Sequence, residues 1–284
     1  MVVFPRPRPS FPPGNLGAAP KPPSGPTTCS HRTGKPFDTP SGTGHDPLVT
    51  TSEQSMVRAA ARNNAEWCAA MSRSHGLAGE FGEEAWAAPA RTPPYYPDAV
   101  TLAPGADPAA LAARIDTTAP GASVKDSFAD LDLTAAGFQV LFEAQWIHRA
   151  TSAAATASGL AWGVADAPDD LHAWALAWDD GDGDADLFRS ELLGDAATFV
   201  LAGRDAGGRV AAGAVASRSD QVVGVSNVFA SDGGPDTAWL GVLEAVHRLF
   251  PDLPVVGYEH GAGLEAALRH GFEPVGPLRI WLHG

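Results

Sequence analysis

Residues 208–250 read GRVAAGAVASRSDQVVGVSNVFASDGGPDTAWLGVLEAVHRLF, and the period of their apolar residues changes from strand-like to helical near Gly234-Pro235. GRVAAGAVASRSD and QVVGVSNVFA read as successive strands. ATFVLAGRD (197–205) is a third strand before them, joined through Asp205-Ala206-Gly207-Gly208, a hairpin turn signal. Beyond the glycines, Trp239, Leu243, Val246 and Phe250 recur at helical spacing. Asp236 is placed to cap that helix, and Pro251 ends it.

On the C-terminal side, PVVGYEH (254–260) reads as a strand, Ala262–His270 as a helix stopped by Gly271, and PLRIWL (277–282) as a final strand. On the N-terminal side, FQVLFEAQWIHRA (138–150) alternates as a strand. Leu171–Trp178 and Asp186–Leu193 read as two helices joined by an acidic loop. Earlier still, Arg62–His75 carries a helical stripe of Trp67, Ala70, Met71 and Ser74 stopped by Gly76. Val100–Leu102 is a short strand, Asp107 and Pro108 open a short helix, and Phe128–Leu133 reads as another strand. Tyr95-Tyr96, set among prolines, reads as a rigid connector onto the core.

The order strand, two helices, three antiparallel strands, helix, strand, helix, strand resembles that of the GNAT acyltransferases. The resemblance is carried by residues 208–230, by the helix from Asp236, and by VVGYEHGAGLEAALRHGFEPVG (255–276), and it covers 138–284. It implies an α/β (α+β) fold, a mixed, mostly antiparallel sheet flanked by helices. Residues 56–137 are then an N-terminal helical and extended segment that packs on the core. The resemblance also implies acetyl-CoA as acyl donor and an amine, small-molecule or protein, as acceptor. Its pyrophosphate would lie at a helix N-terminus, where unpaired backbone N–H groups gather, here Gly233, Gly234 and Thr237. Main-chain groups of Val228, Phe229 and Ala230 would meet the pantetheine arm and the acyl carbonyl.

The chain departs from the family's pattern at several positions. The spaced glycines of the cofactor loop are replaced by Thr237 and Trp239, and its basic residue by Gly234. Asp232 and Asp236 place negative charge beside the expected anion. The acid tyrosine four residues before the glycine of the GF pair is Ala267. Candidates for proton transfer are Glu143, His148, Tyr258, Glu259 and His260, with Glu259 and His260 preferred because they end the strand at which the sheet should open. Two functions follow: an N-acyltransferase, or a binding module that kept the fold without the chemistry.

Composition bounds the partners. Lys+Arg is 19 against 33 Asp+Glu, a net charge of −14. Nucleic acid and anionic membrane surfaces are poor partners for such a chain, and a basic or neutral small molecule is an easier one. Two cysteines, Cys29 and Cys68, give no disulfide framework, and the chain is expected to be cytoplasmic. Residues 1–55 hold 12 of the 25 prolines and few aliphatics, and read as a disordered tail, with Met56 a candidate translation start. The run Asp180, Asp182, Asp184, Asp186, Glu191 has calcium-loop spacing, but Ala185 replaces its glycine, so no metal is expected there.

Overall fold

The computed structural model describes residues 51–151, 159–179, 185–231 and 234–284, which fall in one compact unit. The tail expected over 1–55 lies outside these residues except for its last five. Those five, Thr51 to Ser55, are already helical, because the stretch contains no proline and runs into the helix formers 57–62. Helix α1 therefore spans Thr51–Ser74 rather than starting at Arg62. It stops as a Schellman turn. Gly76 takes φ 74°, its N–H donates to the Arg73 carbonyl at 2.9 Å, and the Leu77 N–H donates to that of Ser72 at 2.9 Å.

After α1 come β1 (Glu80–Phe81), β2 (Ala85–Ala87), β3 (Ala99–Thr101), α2 (Pro108–Ala112), β4 (Ser123–Asp126), β5 (Phe138–Arg149) and β6 (Ala161–Val164). The chain continues through α3 (Pro168–Trp178), β7 (Thr198–Arg204), β8 (Val210–Arg218), β9 (Val223–Ala230) and α4 (Gly234–Leu249), and closes with β10 (Val255–Glu259), α5 (Gly261–Arg269) and β11 (Glu273–His283). The strands form one sheet in the order β1-β2-β3-β4-β11-β5-β10-β9-β8-β7-β6. α1 and α3 cover one face over Trp67, Met71, Trp146, Trp174 and Val215. α4 and α5 cover the other over Ile147, Leu201, Trp239, Val246 and Phe272.

Several sequence expectations change. Phe138–Arg149, expected to open the acyltransferase order, instead lies in the middle of the sheet. It is antiparallel to β10 on one edge (Glu259 opposite Gln145) and to β11 on the other (Leu278 opposite Ala144). The strand beside β7 is β6, where Trp162 faces Gly203. β6 is short and carries Gly163, so its strand signal is weak. Alternation identified β5 as a strand but carries no information about which neighbours it takes. Phe128–Leu133 is not a strand: the Asp126 carboxylate accepts from the N–H groups of Phe128, Asp130 and Leu131 and curls the chain into a turn. The helix expected over Asp186–Leu193 is two 3₁₀ turns, Ala185–Leu187 and Ser190–Gly194, which lets Phe188 reach in against Trp174 and Trp178. The Asp107 cap forms as expected, its Oδ1 accepting from Ala109 and Ala110 N–H at 2.8 and 3.1 Å.

At the β6 edge, α4 meets the sheet through one indole. Trp162 of β6 is buried, and a Cβ placed on Gly241 would overlap its ring atoms. Gly241 therefore sets how closely α4 approaches the β6 edge. Gly241→Ala gains about 1 kcal/mol of helix propensity, but the overlap costs about 1–3 kcal/mol. Thermal unfolding should therefore show a lower Tm for Gly241→Ala. A raised Tm would mean that the indole has room to move.

Candidate active site

β9 and β10 run parallel, and they pair only at Val223 with Val255 and Gly224 with Val256. Past that point they part. On the β8 side, Phe229 pairs with Gly213 and Ser226 with Val215, so Asn227 and Val228 share the place opposite Ala214. This bulge puts Asn227 at φ 54° and swings β9 away. β10 stays paired with β5 as far as Glu259. The result is a wedge between 225–230 on one side and 257–259 on the other.

Which backbone groups line the wedge follows from the β8 ladder. The Ser231 N–H donates to the Ala211 carbonyl at 2.8 Å, and strand alternation then turns the main-chain groups of Phe229 toward β8. Those of Val228 and Ala230 face the opposite edge, into the wedge. The Phe229 ring stands edge-on to Trp174, with centroids 5.3 Å apart on the α3 face. Of the three expected strand residues, Val228 and Ala230 are thus placed to offer backbone groups, and Phe229 contributes a wall.

α4 starts at the mouth of the wedge with Gly234 at φ 70°, and Thr237 is half-buried in its first turn. Gly233 lies outside the described residues. Asp236 does not cap the helix, which begins two residues earlier. Its carboxylate instead takes Arg269 Nε at 3.0 Å, Arg269 Nη2 at 2.7 Å and His270 Nε2 at 3.1 Å. Hydrogen bonding from Arg269 holds the Asp236 carboxyl below the usual carboxylate range, and the same bond raises the Arg269 guanidinium. The negative charge expected to repel an anion is compensated, and a guanidinium and an imidazole stand beside the first turn of α4. Sequence reading missed both. Their signal was Arg269-His270 at the end of the helix that packs on α4, a contact that sequence order hides.

Glu259 and His260 both reach the wedge mouth, but their side chains diverge. Glu259 is buried on the α5 face, where a Cβ on Gly263 would come within 2.5 Å of its Oε2. His260 holds the N-cap position of α5, and its ring sits 4.9 Å from Phe142. The other candidates lie elsewhere. Glu143 is exposed and paired with Arg279 at 3.0 Å. His148 stands opposite Val256, where β9 and β10 are still joined, and burial lowers its pKa.

The α1 face of the wedge holds a second set of polar groups. Tyr258 on β10 is buried, and Lys125, reaching in from β4, sits 4.2 Å from its ring centroid. Lys125 Nζ donates to Asn64 Oδ1 on α1 at 2.5 Å. Burial lowers the Lys125 pKa to about 8, with Cys68 acting weakly against it, and burial raises Cys68, Tyr96 and Tyr258. On the same face, a cleft of about 410 Å³ between α3 and the β7–β8 turn runs to Ser231 at the end of β9.

Comparison with solved structures identifies the fold. A GCN5-related N-acetyltransferase from Kribbella flavida superposes with a TM-score of 0.54 at 16% identity, covering 79% of this chain and 95% of that one. The chain has the GNAT fold. A putative GNAT-family acetyltransferase from Novosphingobium aromaticivorans gives 0.48 at 12% identity, over 79% and 99% of the two chains. A GCN5-related N-acetyltransferase from Sphaerobacter thermophilus gives 0.48 at 11%, over 79% and 92%. No protein-family model and no curated protein matches the sequence. The superposition takes in 79% of the chain, whereas β6 to β11 make up less than half of it, so the likeness reaches into the strands before β6 as well. Among the described residues no helix is long and apolar enough to cross a membrane, and no group of His, Cys, Asp or Glu could hold a metal. Asp180, Asp182 and Asp184 of the calcium-like run lie outside those residues.

The buried lysine yields a pH prediction. Its folded pKa of about 8 is below the ordinary 10.5, so below pH 8 folding carries the cost of burying the charge. As pH rises from 8 to 10.5 the folded state sheds that proton first, and stability rises. Lys125→Met removes this slope. Denaturant titrations at pH 7 and pH 10 should show the stability of Lys125→Met relative to the wild type decreasing toward pH 10. A difference independent of pH would mean that the ammonium is solvated in the native state.

Proposed function

We propose that the chain is an acyl-CoA-dependent N-acyltransferase, most simply an acetyltransferase, acting in the cytoplasm on a small-molecule or protein amine. The observation that carries this reading is the wedge. The backbone of Val228 and Ala230 opens into it, beside the N-terminus of a 16-residue helix flanked by Arg269 and His270. These residues fit a CoA ester. The first turn of α4 can take a pyrophosphate with Arg269 turning from Asp236 to assist, and the free strand edge can take the pantetheine amides.

The bound ester would supply a thioester carbonyl for the amine to attack and a thiol to leave. The chain's own groups do the rest. A main-chain N–H of Val228 or Ala230 polarises the carbonyl oxygen. Glu259 or His260, through water, takes the proton from the amine as the C–N bond forms. The proton required by the departing sulfur comes from solvent or from the protonated base, since Ala267 is fully buried and offers no hydroxyl.

A second reading, a binding module with the same fold, is favoured by that alanine and by Trp239. The indole of Trp239 is committed to the core against Phe272 at 4.8 Å, where the family places a glycine. Thermal-shift titration with acetyl-CoA and with CoA separates the two. The expected outcome is a dose-dependent rise by linkage, about 2.7 kcal/mol at a hundredfold excess over Kd, that Arg269→Glu abolishes. No rise at millimolar ligand would leave the binding module. Where acyl transfer is detected, Glu259→Gln or His260→Ala should lower kcat/KM about 10²–10⁴-fold. Unchanged rates in both variants would remove those two residues from the chemistry.

A further inference from the structure

Residues 51–284 contain one lysine, Lys125, and it is 2% exposed. Its partners are neutral: the Asn64 amide oxygen and the face of Tyr258. Among the described residues no carboxylate forms an ion pair with it, and the nearby Cys68 thiol is held protonated by burial. A buried ammonium without a counter-ion is costly, and proteins ordinarily supply an anion to it. The described residues supply none here.

Other buried polar groups are poorly satisfied as well. The Ser226 hydroxyl is buried without a hydrogen-bond partner among the described residues, and the buried Tyr96 hydroxyl and Asn227 amide make no hydrogen bond of normal length, finding only a weak one between themselves. Native structures rarely leave such groups alone. Tyr96 and Asn227 lie beside the neighbours of Lys125. Tyr96 feels both Cys68 and Tyr258 and lies against Asn227, while Cys68 also acts on Lys125. Trp67 stands edge-on to Tyr96 at 5.7 Å and Trp146 edge-on to Tyr258 at 5.6 Å, so aromatic walls enclose the set. Ser226 and Asn227 belong to β9 and Tyr258 to β10, the two sides of the wedge. The cluster is on the face opposite α4 and α5, across the sheet from the helix terminus proposed for the pyrophosphate.

The chemistry of this set selects its guest. A simple amine or polyamine, cationic at neutral pH, would be repelled by Lys125. A plain carboxylic acid would neutralise Lys125 but leave the acceptor atoms of Tyr96 and Asn227 unused. A molecule with both a carboxylate and an amine uses all of them. Resting on the acyltransferase reading above, we propose that this cluster is the acceptor subsite and that the acceptor is a small amino acid. Its carboxylate sits at Lys125 and the Asn227 Nδ2, and its amine at Asn227 Oδ1 and Tyr96, facing the wedge. Transfer then makes an N-acyl amino acid, with the C–N bond formed, the thioester C–S bond broken, and the amine proton passed to the base.

The test is binding, measured on the full chain without CoA. The twenty standard amino acids are compared in thermal shift and calorimetry with their decarboxylated amines and with acetate. The proposal expects at least one amino acid to raise Tm in a dose-dependent way while its matching amine and acetate do not. Lys125→Met should weaken that binding about tenfold or more. Asn227→Gly, which keeps the positive φ and removes only the amide, should do the same. Both variants should retain any shift caused by acetyl-CoA, which shows that they are folded. No amino acid effect at millimolar concentration, an equal effect from the matching amine or acetate, or unweakened binding in both variants would overturn the proposal. Failure of acetyl-CoA to bind, with amino-acid binding intact, would overturn the acyltransferase reading instead and leave a carboxylate-amine binding site.

Discussion

Two parallel strands that share only two bridged pairs govern the molecule. Once the bulge at Asn227 turns β9 aside, β10 has lost one partner for its outer half, and its backbone groups need another. β5 provides it by pairing with β10 along its whole length. On its other side β5 carries β11, and β11 carries β4. Everything toward the β1 edge is thus hung from the strand that keeps the wedge open. α1 lies across the same region and closes it on one face, while the first turn of α4 borders it on the other. The separation of β9 from β10 is what exposes main-chain groups of Val228 and Ala230.

Charge is arranged locally against the overall balance. A chain with a net charge of −14 would be expected to repel anionic ligands. Around the wedge the balance differs. Arg269 and His270 gather at Asp236 on the α4 side, and Lys125 stands buried on the α1 side with no carboxylate paired to it among the described residues. The two faces carry cationic groups in different settings, one exposed and exchangeable, the other enclosed by aromatic rings. Electrostatic interactions at the enclosed position are stronger because little water screens them.

Much of this architecture was legible in the sequence where the signal is local. The Asp107 cap, the α4 stripe, the β7–β8 hairpin and the Gly271 stop depend on neighbours within a few residues, and each appears in the structure. Non-local facts were not legible. Nothing in FQVLFEAQWIHR says that both of its edges are paired, or that its partners lie more than a hundred positions later. Nor does Lys125, a single basic residue in a short strand, reveal that it will meet Tyr258 and Asn64. The same limit hid Arg269 and His270. Their role at Asp236 depends on α5 packing against α4, which periodicity shows only as two amphipathic helices. For the wedge, it was the resemblance, not residue spacing, that suggested Val228, Ala230, Glu259 and His260. It did not say which way their side chains turn.

The central place of β5 also bears on how the chain must assemble. Synthesis runs from the N-terminus, so β5 is complete before either of its partners exists. Gln145 has to await Glu259, and Ala144 has to await Leu278. Through that interval the strand has two open edges, and Val140 and Leu141 remain exposed even in the finished protein. An unpaired apolar strand is a template for association with other chains, and contacts this distant in sequence form slowly. The strand that holds the wedge open is therefore also a segment exposed to misassembly while the polypeptide is being made.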